Sequence, residues 1–517
     1  MAADPLAQVA AQQPDKTALI DDRPGGAVTQ WCYAELNAEV NRLANALRGA
    51  GIGHGSKVAW CGMNSIGVVQ MMNAARKVGA TAVPLNYRLT PEEAAYVVDH
   101  CDAELVWVDA DFAPLMAEIR AHTPKVRRFV VFDGACPAGM LAAEAFLAGA
   151  SEAEPGRAPA DTPASTMIYT SGTTGKPKGA LRRGIGDPQQ VRGLMAAIGY
   201  VPGDVYLTTG PLYHSGPGGF MGLAMLLSNT VVLQRRFDAE DWLRLVDRYR
   251  VTTTFSAPTP IRMVCNLPAE RRQRYDVSSM KRMVANAAPW SYALKELYLS
   301  CFPEDSLFEV YGSTELGVNT LLRPEDQRRK RGSCGRPSPG VEIALFDDEG
   351  RRVTQPHVPG ELYVRSPSIF DTYYKAHDKF EADRREDWQT VGDVAYFDEE
   401  GFYYICDRKK DMIISGGMNI YPAEIEAALD QHPDVLDVAV IGIPSEEWGE
   451  SVHAIVVAQP GSALAAEEVL AHARKHLAGY KVPRSVSFMD ELPRTGSGKI
   501  LKRVLREPFW KDRQSRV

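Results

Sequence analysis

Over roughly its first 160 residues the sequence alternates between two hydrophobic periods, and this constrains the fold more than any other feature. In YAELNAEVNRLANALRGAGI, Leu36, Val40, Leu43 and Leu47 fall on one helical stripe that ends at glycines. KVAWCGMN then reads as a buried strand, an Ala- and Met-rich helix follows, and ATAVPLN, ELVWVDA and RRFVVFDG continue the alternation. Strands separated by helices predict an α/β fold, with helices packed on sheets. ASEAEPGRAPADTPAS (150–165) reads as a surface linker. From Gly332 to about Ile405 the texture changes to short strands, VEIALFD, GELYVRS and GFYYICD, punctuated by Gly, Pro and a DEEG turn. After DRKKD (407–411) a compact mixed unit begins, so the domain boundary is placed there. Pro422 opens the helix PAEIEAALDQH, where a first turn accepts proline. Strands DVAVIGI and SVHAIVVAQ and the amphipathic helix AAEEVLAHARKHLAG complete this unit.

Composition removes several function classes. At 517 residues the chain is long enough for more than one domain, and its net charge of −7 argues against a general nucleic-acid binder. The N-terminus lacks the basic start and apolar core of a signal peptide, and runs such as 220–227 are too short to cross a bilayer. Eight cysteines without a CxxC pair fit reduced thiols, and ten histidines form no HExxH spacing. The expectation is a soluble cytoplasmic protein without a transmembrane segment. Peripheral membrane contact, and the choice between monomer and homodimer, stay open.

The stretch IYTSGTTGKPKGALRR (168–183) looks built to hold phosphate, because glycine backbone can turn several N–H groups and hydroxyls toward one anion. It is not a Walker A loop. Thr170 stands where the first glycine belongs, and Pro177 where the magnesium-binding hydroxyl belongs. Pro177 and Gly179 also argue against a following helix, so the loop reads as a turn between strands STMIYT and GALRR. Alone, such a turn is most often an ordinary hairpin.

Further motifs change that balance. TSGTTGKPKG resembles the phosphate loop of the adenylate-forming superfamily: acyl- and aryl-CoA synthetases, luciferase and nonribosomal peptide synthetase adenylation domains. The resemblance continues through YGSTE (311–315), GD (392–393), DRKKDMIISGGMNIYPAEIE (407–426) and PRTGSGKILKR (493–503), in the family's order. It implies a large N-terminal domain (1–407) of two α/β sheet subdomains plus a distorted β-barrel. A hinge (408–412) and a small mobile α+β C-terminal domain (413–517) complete the expected architecture. It also implies a two-step reaction: a carboxylate attacks the α-phosphorus of ATP, giving an acyl-adenylate and pyrophosphate, and a thiol, usually that of coenzyme A, then displaces AMP.

The same resemblance assigns residues. Thr170, Ser171, Gly172, Thr173, Thr174, Gly175 and Lys178 would hold the β- and γ-phosphates, with Lys176 a helper at the mouth. Glu315 would be the magnesium ligand; Mg2+ is often held by one carboxylate plus phosphate oxygens and water. Thr314 would contact the α-phosphate, Tyr311 would stack on adenine with Gly312 also binding the nucleotide, and Ala287, Ala288 and Pro289 would form the second adenine wall. Asp393 would accept from the ribose hydroxyls, reinforced by Arg408; Val391 stands where relatives carry Thr. Lys499 would be the catalytic lysine bridging carboxylate and α-phosphate. Lys410 falls at the hinge, and Ser415, Gly416, Gly417 and Met418 would line the coenzyme A tunnel.

For the acid, amino-acid-activating relatives carry an Asp in an FDxS motif. FDAEDW (237–242) is a decoy, with Asp238 reading as a helix N-cap, and the aligned position holds GPLYHSGP instead. A substrate without an amine is favoured. His214 would flank the carboxylate, and Tyr213, Gly219, Met225, Ala257 and Ala285 would surround a roomy apolar pocket, although they also read as packed core. The GPLYH and VGD variants resemble those of CoA ligases for bulky acids. Three functions follow: an acyl-CoA ligase for a medium, long or bulky apolar acid, a free-standing enzyme loading a carrier protein, or an inactive binding protein on this scaffold.

Overall fold

A computed structural model describes residues 4–156, 165–170, 176–184, 186–286, 290–416, 418–494 and 500–511. Among these residues, two large sheets share one apolar layer. The eight-stranded sheet runs, in spatial order, Thr372–Tyr373, Lys178–Arg183, Ser165–Thr170, Thr81–Pro84, Lys57–Cys61, Leu105–Asp109, Arg128–Phe132 and Leu141–Ala142. In the nine-stranded sheet, the order is Arg336–Pro337, Gly317–Leu322, Leu307–Ser313, Arg282–Ala285, Thr253–Ser256, Val205–Thr208, Thr230–Leu233, Thr17–Asp22 and Val28–Cys32.

Side-chain alternation explains the layering. Along Lys57–Cys61, Val58 and Trp60 join the shared core, while Ala59 and Cys61 face a second cluster beneath the helices Pro91–His100 and Ala113–Ile119. Likewise Val231 and Leu233 join the shared core, whereas Val232 packs under the helices Ala239–Tyr249, Pro258–Cys265 and Tyr292–Cys301. Both faces of these strands are therefore apolar, as in buried parallel sheets. The middle layer between the sheets holds the helices Tyr33–Gly49, Ile66–Val78 and Ser215–Leu226; Leu36, Val40, Leu43 and Leu47, the expected stripe, are fully buried there. The result is a stack of helix, sheet, helix, sheet, helix.

The Gly- and Pro-punctuated region forms an antiparallel sheet of Glu342–Phe346, Gly360–Arg365, Trp388–Phe397 and Tyr403–Arg408 with short edge strands. Its register shifts between Glu361 and Tyr363 and between Val394 and Ala395, and such bulges bend a sheet. After it, the hairpin Val435–Ser445 and Gly449–Ala458 presents Val438, Val440, Val452 and Ala454 to the helices Pro422–Leu429 and Ala466–His476. The alternate residues Ala439, Ile441 and Ile455 meet Leu505 of the helix Lys502–Trp510. This smaller unit thus has a core of its own.

The presumed linker is anchored over its first half. Glu152 pairs with Arg42, and its carbonyl accepts from Asn41 at 3.0 Å. The buried Lys77 ammonium donates to Asn37 and Asn41 at 2.7 Å each and to Glu154 at 2.8 Å. An Ala/Glu-rich composition looks solvated in sequence, but an ammonium buried in the neighbouring helix draws the acid down. Lys77→Met is expected to lower stability by about 1–3 kcal/mol, because Asn41 and Glu154 lose a charged donor. Glu154→Gln, at a half-exposed site, should lower it much less; calorimetric melting of both variants checks the order.

Candidate functional site

The C-terminal ends of strands from both sheets open into one cleft, the position where open α/β sheets bind ligands. Its walls include Thr170, the 210–217 loop after Val205–Thr208, Ala257 after Thr253–Ser256, Asn286 after Arg282–Ala285, and Thr314 and Glu315 after Leu307–Ser313. The cleft measures about 4170 Å³, several times the volume that one small ligand fills, and it extends between the two domains. The strands Ser165–Thr170 and Lys178–Arg183 pair antiparallel, with Thr170 opposite Lys178, so two paired strands flank the glycine-loop segment as the sequence predicts. Ser171, Gly172, Thr173, Thr174, Gly175, Ala287, Ala288, Pro289, Gly417 and Lys499 lie outside the described residues.

Two carboxylates anchor the cleft. Glu315 is 8% exposed, and its Oε1 accepts from the Thr170 hydroxyl at 2.9 Å and the Tyr373 hydroxyl at 3.2 Å. Asp393 is 6% exposed and stands opposite Arg408 in strand register. Its Oδ1 lies 3.2 Å from Arg408 Nε, and its Oδ2 accepts from the Tyr311 hydroxyl at 2.5 Å. Burial first, then the Asp393 charge, pushes the Tyr311 phenol far above its ordinary range and keeps it a donor. Since each carboxylate oxygen has two lone pairs, Asp393 retains acceptor capacity for a ligand diol.

The Thr314 hydroxyl exchanges a 2.9 Å hydrogen bond with Ser215 Oγ, at the first turn of Ser215–Leu226. His214 is the N-cap residue of that helix, and its ring centroid lies 4.3 Å from that of Tyr213. Tyr213 in turn meets Tyr87 edge-on at 5.2 Å. The glycines of this helix differ in the room beside them. A Cβ on Gly216 would fall 2.4 Å from Phe255, and one on Gly218 would fall 2.9 Å from the Leu212 carbonyl oxygen; these two serve close packing. On Gly219 or Gly222 it would meet nothing within 4 Å, and both residues border the cleft. Met225 is buried at the cleft wall and Ala257 half-buried there. Ala285, expected at the pocket, is a correction: it is fully buried in the cluster with Trp242 and Leu294, because its side chain alternates to the opposite face from Val284.

Three cleft residues carried no sequence signal of their own. Arg182, half-buried on the strand Lys178–Arg183, donates from Nη2 to the Thr314 carbonyl at 2.8 Å and the Glu315 carbonyl at 3.5 Å, and from Nη1 to the Ser368 carbonyl. It holds the loop that carries both residues. Tyr373 reaches Glu315 only because Thr372–Tyr373 adds to the edge of that strand. Ser215 sat inside the quoted GPLYHSGP without an assigned role. Lys176, expected at the mouth, lies over the Tyr96 ring at 5.0 Å, and Lys178 lies 5.9 Å from the Tyr373 ring centroid.

The C-terminal domain closes one side of the cleft. Arg262 donates to the Leu436 carbonyl at 3.0 Å across the seam. Arg494 and Ile500 pair in a short antiparallel bridge, and both line the cleft, as do Leu436 and Asp437. Ser415 and Met418 face each other in a separate hairpin outside the cleft wall, with Met418 46% exposed and Gly416 against Trp448. At the seam itself, Asp407 accepts from the Ala423 N–H at 3.0 Å, Asp411 pairs with Arg506 at 2.7 Å, and Lys410 is exposed. Burial raises the Asp411 carboxyl, but Arg506, Lys410 and Lys502 outweigh it and leave it below its ordinary value.

Comparison with known proteins gives two family matches: AMP-binding enzyme over residues 6–374 and AMP-binding enzyme C-terminal domain over 424–499. Among similar proteins, an indoleacetate–CoA ligase of Aromatoleum aromaticum is 36% identical over 488 residues, spanning 92% of each chain. The fatty acid–[acyl-carrier-protein] ligase ScoC of Streptomyces coeruleorubidus is 33% identical over 494 residues, covering 94% of this chain and 93% of its own. The ATP-bound structure of MatB from Rhodopseudomonas palustris superposes with a TM-score of 0.87 at 29% identity, over 99% of both chains.

The hairpin that carries Thr314 and Glu315 depends on Gly312, where a Cβ would fall 2.0 Å from the Gly317 carbonyl oxygen. Gly312→Ala is expected to cost about 1–3 kcal/mol, the scale of overpacking, and to weaken nucleotide binding while the far-UV spectrum is kept. Thermal melting and nucleotide titration check it.

Proposed function

The chain belongs to the AMP-binding, adenylate-forming enzymes, in their acyl-CoA ligase branch, and from this premise we propose that it activates an apolar carboxylic acid lacking an amine. Members of this branch use ATP, Mg2+ and coenzyme A. The proposed acid is a medium- or long-chain fatty acid or a bulky ring acid. The observation that carries the reading is the open face of Gly219 and Gly222 on a cleft wall whose sequence, from 210 to 226, contains no Asp or Glu.

In the first half-reaction a carboxylate oxygen of the acid attacks the α-phosphorus and pyrophosphate departs. Alignment and charge neutralisation supply most of the catalysis in such a step. In this reading Asp393, oriented by Tyr311 and Arg408, accepts from the ribose; Thr314 sits at the α-phosphate; His214 flanks the acid. Lys499 holds the two anions together. Glu315 fits magnesium, since both hydroxyl donors converge on Oε1 of a carboxylate that borders the cleft, and the ion when bound neutralises phosphate charge. In the second half-reaction the thiol sulfur attacks the acyl carbon and AMP leaves. Rotation at 408–412 would then bring Ser415, Gly416, Gly417 and Met418 to the cleft and withdraw Lys499. The cleft-lining positions of Arg494 and Ile500, with Ser415 and Met418 outside the cleft wall, support the adenylate-forming arrangement. The reading places the enzyme in the cytoplasm, in keeping with eight free cysteines.

A second reading, transfer to a carrier protein, is favoured by the similarity to ScoC. An acid panel with ATP tests both: AMP and pyrophosphate should form with apolar acids, and thioester should appear with free coenzyme A. Thioester formation only on a carrier protein would select the second reading, and ADP with phosphate would overturn both.

Two variants sharpen the test. Gly219→Leu adds a side chain at an exposed position where a Cβ would meet no atom within 4 Å, so folding should be unchanged. It should lower kcat/KM for long or bulky acids by about 10–200-fold while short acids change little, the range that pocket contacts supply; equal loss for all sizes would make the segment mere core. Lys499→Ala should slow adenylation by about 10²–10³ and spare thioester formation from presynthesised acyl-adenylate, whereas Lys410→Pro should do the reverse. Parallel assays of the half-reactions decide whether the domain rotates.

A further inference from the structure

On the outer side of the nine-stranded sheet, the helices Pro258–Cys265 and Tyr292–Cys301 both end in cysteine. Cys265 is 3% exposed, and the partly exposed Cys301 packs against the apolar cluster to which Cys265 belongs. Arg272 is fixed by a 3.0 Å hydrogen bond from Nε to the Leu267 carbonyl, and its Nη1 reaches the Cys301 Sγ at 2.6 Å. Among the described residues no carboxylate pairs with Arg272, so the sulfur is what its guanidinium addresses. Ser300 Oγ adds a contact at 3.6 Å.

A helix C-terminus disfavours an anion, since its unpaired carbonyls carry partial negative charge. Here the local groups reverse that preference. The hydrogen bond from Cys265 first, joined by Ser300 and Arg272, outweighs burial and holds the Cys301 thiol below its ordinary range. That same bond, with burial, pushes Cys265 up. One sulfur is thus disposed to be thiolate and exposed enough to react, and Cys265, in the cluster against which it packs, is a buried thiol. This asymmetry is what separates a reactive cysteine from a resolving one. None of this is needed for the ligase chemistry.

We propose that Cys301 and Cys265 form a hydroperoxide-sensitive thiol pair, with Cys301 the attacking sulfur, Cys265 the resolving sulfur and Arg272 the positioning cation. The Cys301 thiolate attacks the terminal oxygen of a hydroperoxide. An S–O bond forms and the O–O bond breaks; the sulfur is oxidised to a sulfenic acid, and the other oxygen leaves, protonated, as water or an alcohol. The Cys265 thiol then attacks that sulfur, forming the S–S bond and breaking the S–O bond, and its proton leaves with the hydroxyl as water. The bridge would tie the helix that carries Arg262, which grips the Leu436 carbonyl of the C-terminal domain, to its neighbour.

The test is graded oxidation of the reduced full-length protein with hydrogen peroxide, followed by alkylation and peptide mass analysis. Tryptic peptides 263–271 and 296–328 should become joined, with loss of two hydrogens, before Cys32, Cys136 or Cys406 reacts. Cys265→Ser should stop at a sulfenic acid on Cys301 that dimedone captures. Arg272→Gln should slow Cys301 oxidation several-fold, since less of the thiol is thiolate, with an unchanged far-UV spectrum. Oxidation of Cys301 no faster than of Cys32 and Cys136, a bridge to another cysteine, or an Arg272→Gln rate equal to the parent would overturn the proposal. The readout is mass, so it stands or falls independently of the ligase reading.

Discussion

The apolar layer that the two large sheets hold in common is the constraint on which the rest of the structure depends. Strands of both sheets send alternate residues into it, Val58 and Trp60 from one, Tyr206 and Val231 from the other. Neither sheet can rotate or slide without exposing that face to water, so the relation between the sheets is fixed by burial. The cleft inherits this rigidity, because its walls are the chain segments that leave the strands at one end. Thr170 from one sheet thereby comes within 2.9 Å of Glu315 from the other, across 145 residues of sequence.

Polar groups then lock what packing has positioned. Arg182 is charged and half-buried, a position that is costly for its donors unless they are satisfied. Its partners are backbone carbonyls of 314, 315 and 368, so the guanidinium ties the first sheet to the Thr314–Glu315 loop of the second. Asp393 does a similar task at the antiparallel sheet, gathering Tyr311 and Arg408 around one carboxylate. The C-terminal domain, by contrast, has its own core, and Arg262 to Leu436 is one bond by which it meets the larger domain at the cleft.

Much of this was legible before any coordinates. The helical stripe at 36–47, the decoy helix capped by Asp238 and the strand–turn–strand around the glycine loop follow from periodicity and capping chemistry, and each is where the pattern puts it. Asp393 and Arg408 could be named by motif, and so could Glu315. What motifs did not give was the support around them. Tyr373 lies in an unremarkable FDTYYKAHD string, and its role exists only because a two-residue strand joins a sheet edge. Ala285 departs from the expectation for the complementary reason: a small residue looks like a space left open, until strand alternation turns it into the core.

The sequence by itself determined which segments are helix or strand, which chemistry the chain carries and in what order its motifs occur. Those are local properties, set by hydrophobic period, by Gly and Pro, and by side-chain type. Only the tertiary structure decided which glycines of 216–222 face open space and which touch Phe255 or Leu212, and that the Glu152–Glu154 stretch is pinned by Arg42 and Lys77. It also decided that Cys265, Cys301 and Arg272 meet. The reason is the same in each case: close approach between residues far apart in the chain depends on how layers stack, and no local pattern encodes the neighbour that stacking supplies.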